Sequence, residues 1–361
     1  MLTIPPGIAG RDVCGKAPTG SGKTIAFGVI LAERLREHSQ GRPSGLVLVP
    51  TRELAQQVQR EIHLLDVDRK FFTTSVFGGA GYGPQLQRLR RAAIVVATPG
   101  RLEDLLQRRD IDLREVRVCV LDEADRMADM GFLPAVKRIL DRLPRKRQVL
   151  LFSATLDGAV GSIVQNYLSD PLHLATSSVE AEPDIEHVFE VLMRAERAER
   201  VASLVAEHGS LIAFCRTKHG SDRVAKNLAA AGVDTCVIHG NRTQAQREKA
   251  LQQFKRGTAT AMVATDVAAR GIHIDDVPLV VHYDLPEDVK DYIHRSGRTG
   301  RAGRDGEVVS LVDGSGRKST VRLLKGSGIE VSFSEFPFTD EASTPDAIGA
   351  IGTVPSRSLL V

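Results

Sequence analysis

The chain has 361 residues, 42% of them hydrophobic and 26% charged, with 48 Lys and Arg against 45 Asp and Glu for a net charge of +3. That length exceeds one ordinary domain and suits two lobes of about 150 to 200 residues, each able to bury its own core. The mild basic balance falls far short of the dense basic tails that hold nucleic acid unaided. No apolar run approaches the roughly 20 residues that a membrane span needs, so no membrane partner is expected. The first residues, MLTIPPGIAGRD, lack the basic segment, apolar stretch and small-residue cleavage site of a signal peptide, and a cytoplasmic protein is expected. Cys14, Cys119, Cys215 and Cys236 are scattered beside apolar runs with no metal-like spacing, which reads as buried, reduced thiols. Aromatic residues make up 4% of the chain, with no Trp, so a bound single strand would be held by its backbone rather than by base stacking.

In chain order, short Val/Ile/Leu-rich runs at residues 12–16, 46–49, 94–97, 116–121 and 149–152 alternate with amphipathic segments. That rhythm predicts an α/β lobe with a parallel sheet covered by helices. It restarts with runs at residues 211–214, 235–238, 260–264, 279–282 and 307–311, which predicts a second α/β lobe. Between the two, residues 177–184 (SSVEAEPD) are polar and without either periodicity, as a linker is. The expected division is therefore residues 1–176, a linker at 177–184, a second lobe at 185–335, and a loose, small-residue tail at 336–361.

Residues 17–24 read APTGSGKT, between a strand-like run and a helix expected to begin near Thr24. In this context Thr19, Gly20, Ser21, Gly22, Lys23 and Thr24 form a phosphate-binding loop for ATP. Gly20 and Gly22 let successive N–H groups face the phosphates, Lys23 brings a point charge, and Thr24 can ligate Mg²⁺. A later apolar run delivers Asp122 and Glu123 at its carboxyl end, the edge where open α/β sheets bind ligands. Asp122 would hold Mg²⁺, and Glu123 would orient or deprotonate the attacking water.

The loop APTGSGKT, DEAD at residues 122–125 and SAT at 153–155 together resemble the DEAD-box proteins of helicase superfamily 2. PTRELA at 50–55, Gly78 with Gly79, and TPGR at 98–101 extend the resemblance through the first lobe. AFCRT at 213–217, HGNRTQAQRE at 239–248, ATDVAARG at 264–271 and HRSGRTGR at 294–301 extend it through the second. The resemblance covers about residues 10–335. It implies two RecA-like lobes that close on ATP and RNA, with ATP hydrolysis coupled to local RNA unwinding in an interlobe cleft. Arg298 and Arg301 match the arginine pair that reaches the γ-phosphate. Asp125 and His294 match the network that couples the lobes, with Ser153 and Thr155 linking the acidic motif to lobe motion. Thr51, Arg52, Gly78, Gly79, Thr98, Gly100 and Arg101 match a phosphate track in the first lobe, and Gln244, Arg247 and Thr265 match its continuation in the second. Such contacts imply RNA binding with little sequence preference and strong salt dependence. A monomer is expected, and no protein partner is specified.

Two positions depart from the family pattern. Gly271 and His273 fall on the nucleotide side, and His273 stands where the pattern usually has Asp beside the ribose; Ser296 replaces a usually apolar residue. The family also carries an aromatic and a Gln-containing segment ahead of the phosphate loop to read adenine, and the sixteen residues before Ala17 do not supply it. That lack makes a non-catalytic RNA-binding module the alternative to a working ATPase. A DNA-translocating helicase is the third reading, disfavoured by the combination of DEAD, SAT and HRSGRTGR.

Overall fold

The structure, a computed structural model, describes residues 2–16, 22–35, 42–66, 71–156, 158–175, 185–266, 277–300 and 305–335. The expected linker and tail lie outside the described residues. The first sheet is built from β1 (Val13–Lys16), β2 (Gly45–Leu48), β3 (Thr73–Val76), β4 (Ile94–Ala97), β5 (Val118–Leu121), β6 (Gln148–Ser153) and β7 (Leu172–Ala175). Its strands run parallel in the order β3-β4-β2-β5-β6-β1-β7. The second sheet comprises β8 (Ile185–Val191), β9 (Leu211–Phe214), β10 (Thr235–Ile238), β11 (Ala261–Ala264), β12 (Leu279–His282), β13 (Gly306–Val312) and β14 (Phe333–Glu335). Its order, β10-β11-β9-β12-β13-β8-β14, again with parallel pairings, is that of the first sheet with every number raised by seven.

Both faces of each sheet are covered, which is why β2, β4, β5, β9 and β11 are apolar and buried at every position. On β2, Leu46 and Leu48 enter one core while Val47 enters the other; on β9, Leu211 and Ala213 alternate with Ile212 and Phe214 in the same way. The parallel α/β expectation therefore holds in both lobes. Cys14, Cys119, Cys215 and Cys236 are all buried and unpaired.

The sequence pattern missed β3, β7, β8 and β14. β3 is Thr-Thr-Ser-Val, polar yet wholly buried, and β7 and β14 are short edge strands with exposed positions. β8 carries Glu186, His187 and Glu190 among its apolar residues. Elsewhere the differences are shifts of one or two residues. Asp12, for instance, stays outside β1 and uses its carboxylate to cap two chain segments, accepting from the Val149 amide at 2.8 Å and the Ser169 amide at 2.7 Å.

Most of the helices follow the carboxyl ends of these strands. In the first lobe they are α1 (Ile4–Ile8), α2 (Lys23–Arg34), α3 (Arg52–Leu65), α4 (Tyr82–Leu89), α5 (Pro99–Gln107), α6 (Ala124–Asp129), α7 (Leu133–Leu140) and α8 (Gly158–Tyr167), of which α1 precedes the sheet. In the second they are α9 (Arg197–His208), α10 (Lys218–Ala230), α11 (Gln244–Lys255), α12 (Val289–Ser296) and α13 (Arg317–Leu324). The lobes touch through α3 with α11 and through α6 with α12.

Candidate nucleotide cleft and nucleic-acid track

β1 leads into the phosphate loop. Thr19, Gly20 and Ser21 lie outside the described residues, as do Gly271, His273 and Arg301. Gly22 caps α2 with φ +78°, a left-handed conformation that glycine adopts without strain, and none of the described residues lies within 4 Å of where its Cβ would stand. Lys23 and Thr24 follow as the first two residues of α2, both half-buried, one residue earlier than the sequence suggested for the helix start. Their position puts a cation and a hydroxyl at the positive end of a helix, where oxyanions bind.

Two strands away in the same sheet, β5 delivers Asp122 and Glu123, which are 3% and 5% exposed. Asp122 is fixed from both ends: its amide donates to the Leu48 carbonyl at 3.0 Å and its Oδ1 accepts from the Glu123 amide at 3.0 Å. Glu123 holds φ +53° at the cap of α6, a conformation costly for a side chain with a Cβ. Arg126 donates to its Oε2 at 3.0 Å. Strain retained at a buried carboxylate on the ligand-binding edge marks a functional position.

Asp125 ties the acidic motif to β6. Its amide donates to Ser153 Oγ at 3.1 Å, and its Oδ2 accepts from the Ala154 amide at 3.2 Å. Ser153 is fully buried whereas Thr155 is exposed. Across the lobe boundary, His294 Nε2 lies 3.8 Å from Asp129 Oδ2, and Lys290 Nζ donates to Asp129 Oδ1. The sequence had grouped Asp125 with His294; the structure inserts Asp129, one turn further along α6, as the residue that meets α12. The i, i+4 spacing from 125 to 129 and from 290 to 294 is the signal that could have found it.

Arg298 sits in the turn after α12 at 5% exposure, and its carbonyl accepts from the Val277 amide at 3.2 Å. The sequence reading passed over Arg295. Its guanidinium grips Asp266 through two bonds, at 2.5 and 2.8 Å, donates to the Asp284 carbonyl at 2.7 Å, and lies 5.2 Å from the Phe214 ring centre. A planar fork with three partners fixes the end of α12, and with it the turn that carries Arg298.

The track residues occupy the carboxyl edges of β2, β3 and β4. Thr51 accepts from the Leu54 amide at 3.3 Å as the cap of α3. The Arg52 guanidinium fills the space beside Gly79: a Cβ there would stand 2.2 Å from Nη1, on a backbone with φ +75°. Gly78 is 3.9 Å from the same guanidinium by that measure. The Thr98 amide donates to the Val76 carbonyl at 3.0 Å, and the residue caps α5, whose Gly100 faces open space. Arg101, 8% exposed, donates to the Ala80 carbonyl at 3.0 Å. In the second lobe Thr265 is buried, and its amide donates to the Ile238 carbonyl at 3.2 Å.

Gln244 and Arg247 are engaged with the first lobe. Arg247 Nε lies 3.0 Å from Glu53 Oε1, and Gln244 Nε2 donates to Gln56 Oε1 at 3.1 Å. Gln56 in turn donates to Glu248 at 2.7 Å. Burial lowers the Arg247 pKa and Glu53 opposes that shift. Sequence reading placed both residues along the backbone track; it could not see that the first turn of α11 abuts α3.

Residues 1–163 match the DEAD/DEAH box helicase family, and residues 194–303 match the helicase conserved C-terminal domain. The chain is 41% identical over 340 residues to DEAD-box ATP-dependent RNA helicase 14 of Arabidopsis thaliana, covering 91% of this chain and 55% of that protein. It is 41% identical over 320 residues to the ATP-dependent RNA helicase DBP2 of Meyerozyma guilliermondii, covering 85% and 58%. The chain thus spans about half the length of these curated relatives. Among solved structures it resembles the DEAD-box helicase Mss116 bound to ssRNA and UDP-BeF, with TM-score 0.79, 28% identity, and 94% and 75% coverage. It also resembles a DEAD box protein from the hyperthermophile Methanococcus jannaschii, with TM-score 0.53, 33% identity, and 93% and 92% coverage. With both halves matched in order, and with two parallel sheets laid out as in these structures, the chain belongs to the DEAD-box family of helicases and consists of two RecA-like lobes.

Proposed function

We propose that this chain is an ATP-dependent RNA helicase core, an RNA-stimulated ATPase that pries apart short RNA duplexes. The observation that carries the reading is the arrangement of one cleft: the start of α2 and the Asp122–Glu123 pair lie on one sheet edge, while direct contacts from α11 and α12 hold the Arg298 lobe against it. The fit is better to Mss116 and to S. cerevisiae Dbp5, both bound to RNA and a beryllium fluoride nucleotide, than to the Methanococcus jannaschii protein, at TM-scores of 0.79, 0.74 and 0.53.

In this reading Lys23 and the amides at the start of α2 bind ATP phosphates. Mg²⁺, for which the Asp122 carboxylate and the Thr24 hydroxyl are a suitable oxygen donor set, would neutralise charge on those phosphates. Glu123 orients the attacking water and takes its proton, and Arg298 offsets the charge that develops on the transferred group. Thr51, Arg52, Gly78, Gly79, Thr98, Gly100, Arg101 and Thr265 hold one RNA strand by its backbone, so affinity depends on salt more than on sequence. The Asp125–Ser153–Ala154 bonds and the Asp129 contacts with Lys290 and His294 pass the state of the cleft to the lobe boundary. Lobe closure then bends the bound strand, and a straight partner strand cannot follow.

The test is steady-state phosphate release from ATP with and without single-stranded RNA, for the wild type and Glu123→Gln. Stimulation by RNA that the substitution reduces by at least about 10²-fold supports the reading. RNA binding by a folded chain that shows no release above the substituted control would mean a non-catalytic RNA-binding module.

A further inference from the structure

Tyr82 opens α4 three residues beyond Gly79, beside the backbone track. Two guanidiniums lie over its ring: that of Arg101 is 4.2 Å and that of Arg108 4.5 Å from the ring centre. The Tyr82 hydroxyl donates to Asp104 Oδ2, and Arg101 Nε is 3.9 Å from the same carboxylate oxygen. Arg101, Asp104 and Arg108 recur at intervals of three and four, so one face of α5 docks on this ring. Arg108 is further held by Asp110 at 2.9 Å.

Within this assembly the Arg101 side chain is 7% exposed, and its Nη2 donates to the Ala80 carbonyl. Among the described residues its Nη1 is buried without a hydrogen-bond partner. A buried guanidinium N–H left unmade costs free energy unless a ligand supplies the acceptor. Arg is also a side chain with much rotamer freedom to lose. A ring beneath it, a carbonyl at one N–H and a carboxylate at its root remove that freedom before any ligand arrives, and such pre-organisation raises affinity.

We propose that Tyr82 is a positioning residue of the RNA site: its ring holds the Arg101 guanidinium in the orientation that receives a phosphate oxygen at Nη1. The ring is occupied by guanidinium groups, so it does not serve as a base-stacking platform. The inference rests on the functional reading above for the identity of the ligand, and on the geometry alone for the ordering of Arg101.

Two measurements separate those layers. The first uses the free protein: the Nε–H signal of Arg101, followed by NMR with arginine-selective labelling, reports its order without RNA. Tyr82→Leu should render that signal mobile and Tyr82→Phe should leave it ordered; an Arg101 that stays equally ordered in Tyr82→Leu overturns the proposal. The second is the affinity for a short fluorescent single-stranded oligouridylate in the presence of a non-hydrolysable ATP analogue, with melting temperatures confirming that each variant is folded. Tyr82→Leu should weaken binding by about 3- to 10-fold, with Tyr82→Phe within about 2-fold of the wild type. The double variant Tyr82→Leu/Arg101→Ala should bind no more weakly than Arg101→Ala alone. Losses that add in the double variant would show Tyr82 touching RNA by itself, and would overturn the positioning role. A wild type that fails to bind RNA at all would refute the functional reading, while the NMR result would still decide the ordering of Arg101.

Discussion

Arg247 in the second lobe pairs with Glu53 in the first at 3.0 Å, with their side chains 10% and 8% exposed. Each residue belongs to a motif that sequence reading assigned to its own lobe, and the pair is desolvated only because the lobes meet there. Removing one partner of a buried pair leaves an uncompensated ion at a cost of about 3–5 kcal/mol, and that cost falls on the closed arrangement, since separated lobes let water reach the orphan. Arg247→Ala and Glu53→Ala should each lower nucleotide-dependent RNA affinity by at least about tenfold. The charge-swapped pair Glu53→Arg/Arg247→Glu should recover part of it. Equilibrium RNA binding with a non-hydrolysable ATP analogue reads the effect; equal affinity in all variants would mean that the pair does not contribute to closure.

Gly79 combines φ +75° with a neighbour that leaves no room for a methyl group, the Arg52 guanidinium. Gly79→Ala should therefore strain the turn by about 1–2 kcal/mol and push Arg52 out of place. RNA affinity should fall while ATP affinity in the absence of RNA changes little. Gly22→Ala is the contrast: its φ is +78° but none of the described residues lies within 4 Å of where its Cβ would stand, so backbone strain is the effect expected there. The two binding constants, measured side by side, distinguish the cases.

His282 is fully buried, stacks on Tyr292 at 4.4 Å between ring centres, and among the described residues has an Nδ1 without a hydrogen-bond partner. Burial, with Arg295 and His187 nearby, holds its pKa well below 6.5, and burial likewise lowers that of His187. A histidine whose folded pKa is depressed stays neutral in the native state, while the unfolded chain takes up a proton as pH falls below about 6.5. Stability is therefore complete above that pH and is lost as pH falls through it, by up to about 1.4 kcal/mol per pH unit for each such group. Denaturant titrations of the wild type and His282→Phe at about pH 7.5 and about pH 5.5 should show a smaller pH effect in the variant. An unchanged pH dependence would remove His282 from this account.

The thiols of Cys119, Cys215 and Cys236 are pushed up to about 12 by burial, and that of Cys14 is raised for the same reason. Alkylation requires the thiolate and access to it. At about pH 8 the folded chain should resist iodoacetamide at these positions, and unfolding in denaturant should expose all four to labelling. Mass spectrometry of the intact protein distinguishes the two states, and rapid labelling of a native thiol would show that its strand opens locally.

The legible part of the chain was its local chemistry. A glycine-rich loop ending in Lys23–Thr24, and carboxylates at 122 and 123 after an apolar run, announce a phosphate site because the residues that perform the chemistry are neighbours in sequence. The buried strands β4, β9 and β12 were also readable, with their bounds, because burial on both faces demands runs of apolar residues. β3 escaped because Thr73, Thr74 and Ser75 are polar yet buried; for Ser75 the covering helix contributes the acceptor, Gln59 accepting from its hydroxyl at 2.5 Å. Edge strands β7 and β14 escaped because one open side relaxes the demand for apolar residues.

Sequence by itself determined two parallel α/β lobes, the phosphate loop, the acidic pair and the ordered motifs that make this a DEAD-box protein, all of which are encoded in short contiguous runs. Only the tertiary structure decided that both sheets share one strand order, that Asp129 rather than Asp125 meets α12, that Arg247 and Gln244 engage α3, and that Arg101 rests on Tyr82. The reason is physical: a helix or strand answers to the periodicity of its own residues, whereas a desolvated ion pair or a stacked guanidinium takes its energy from a partner that the chain brings close only on folding, 194 positions away in the case of Glu53 and Arg247.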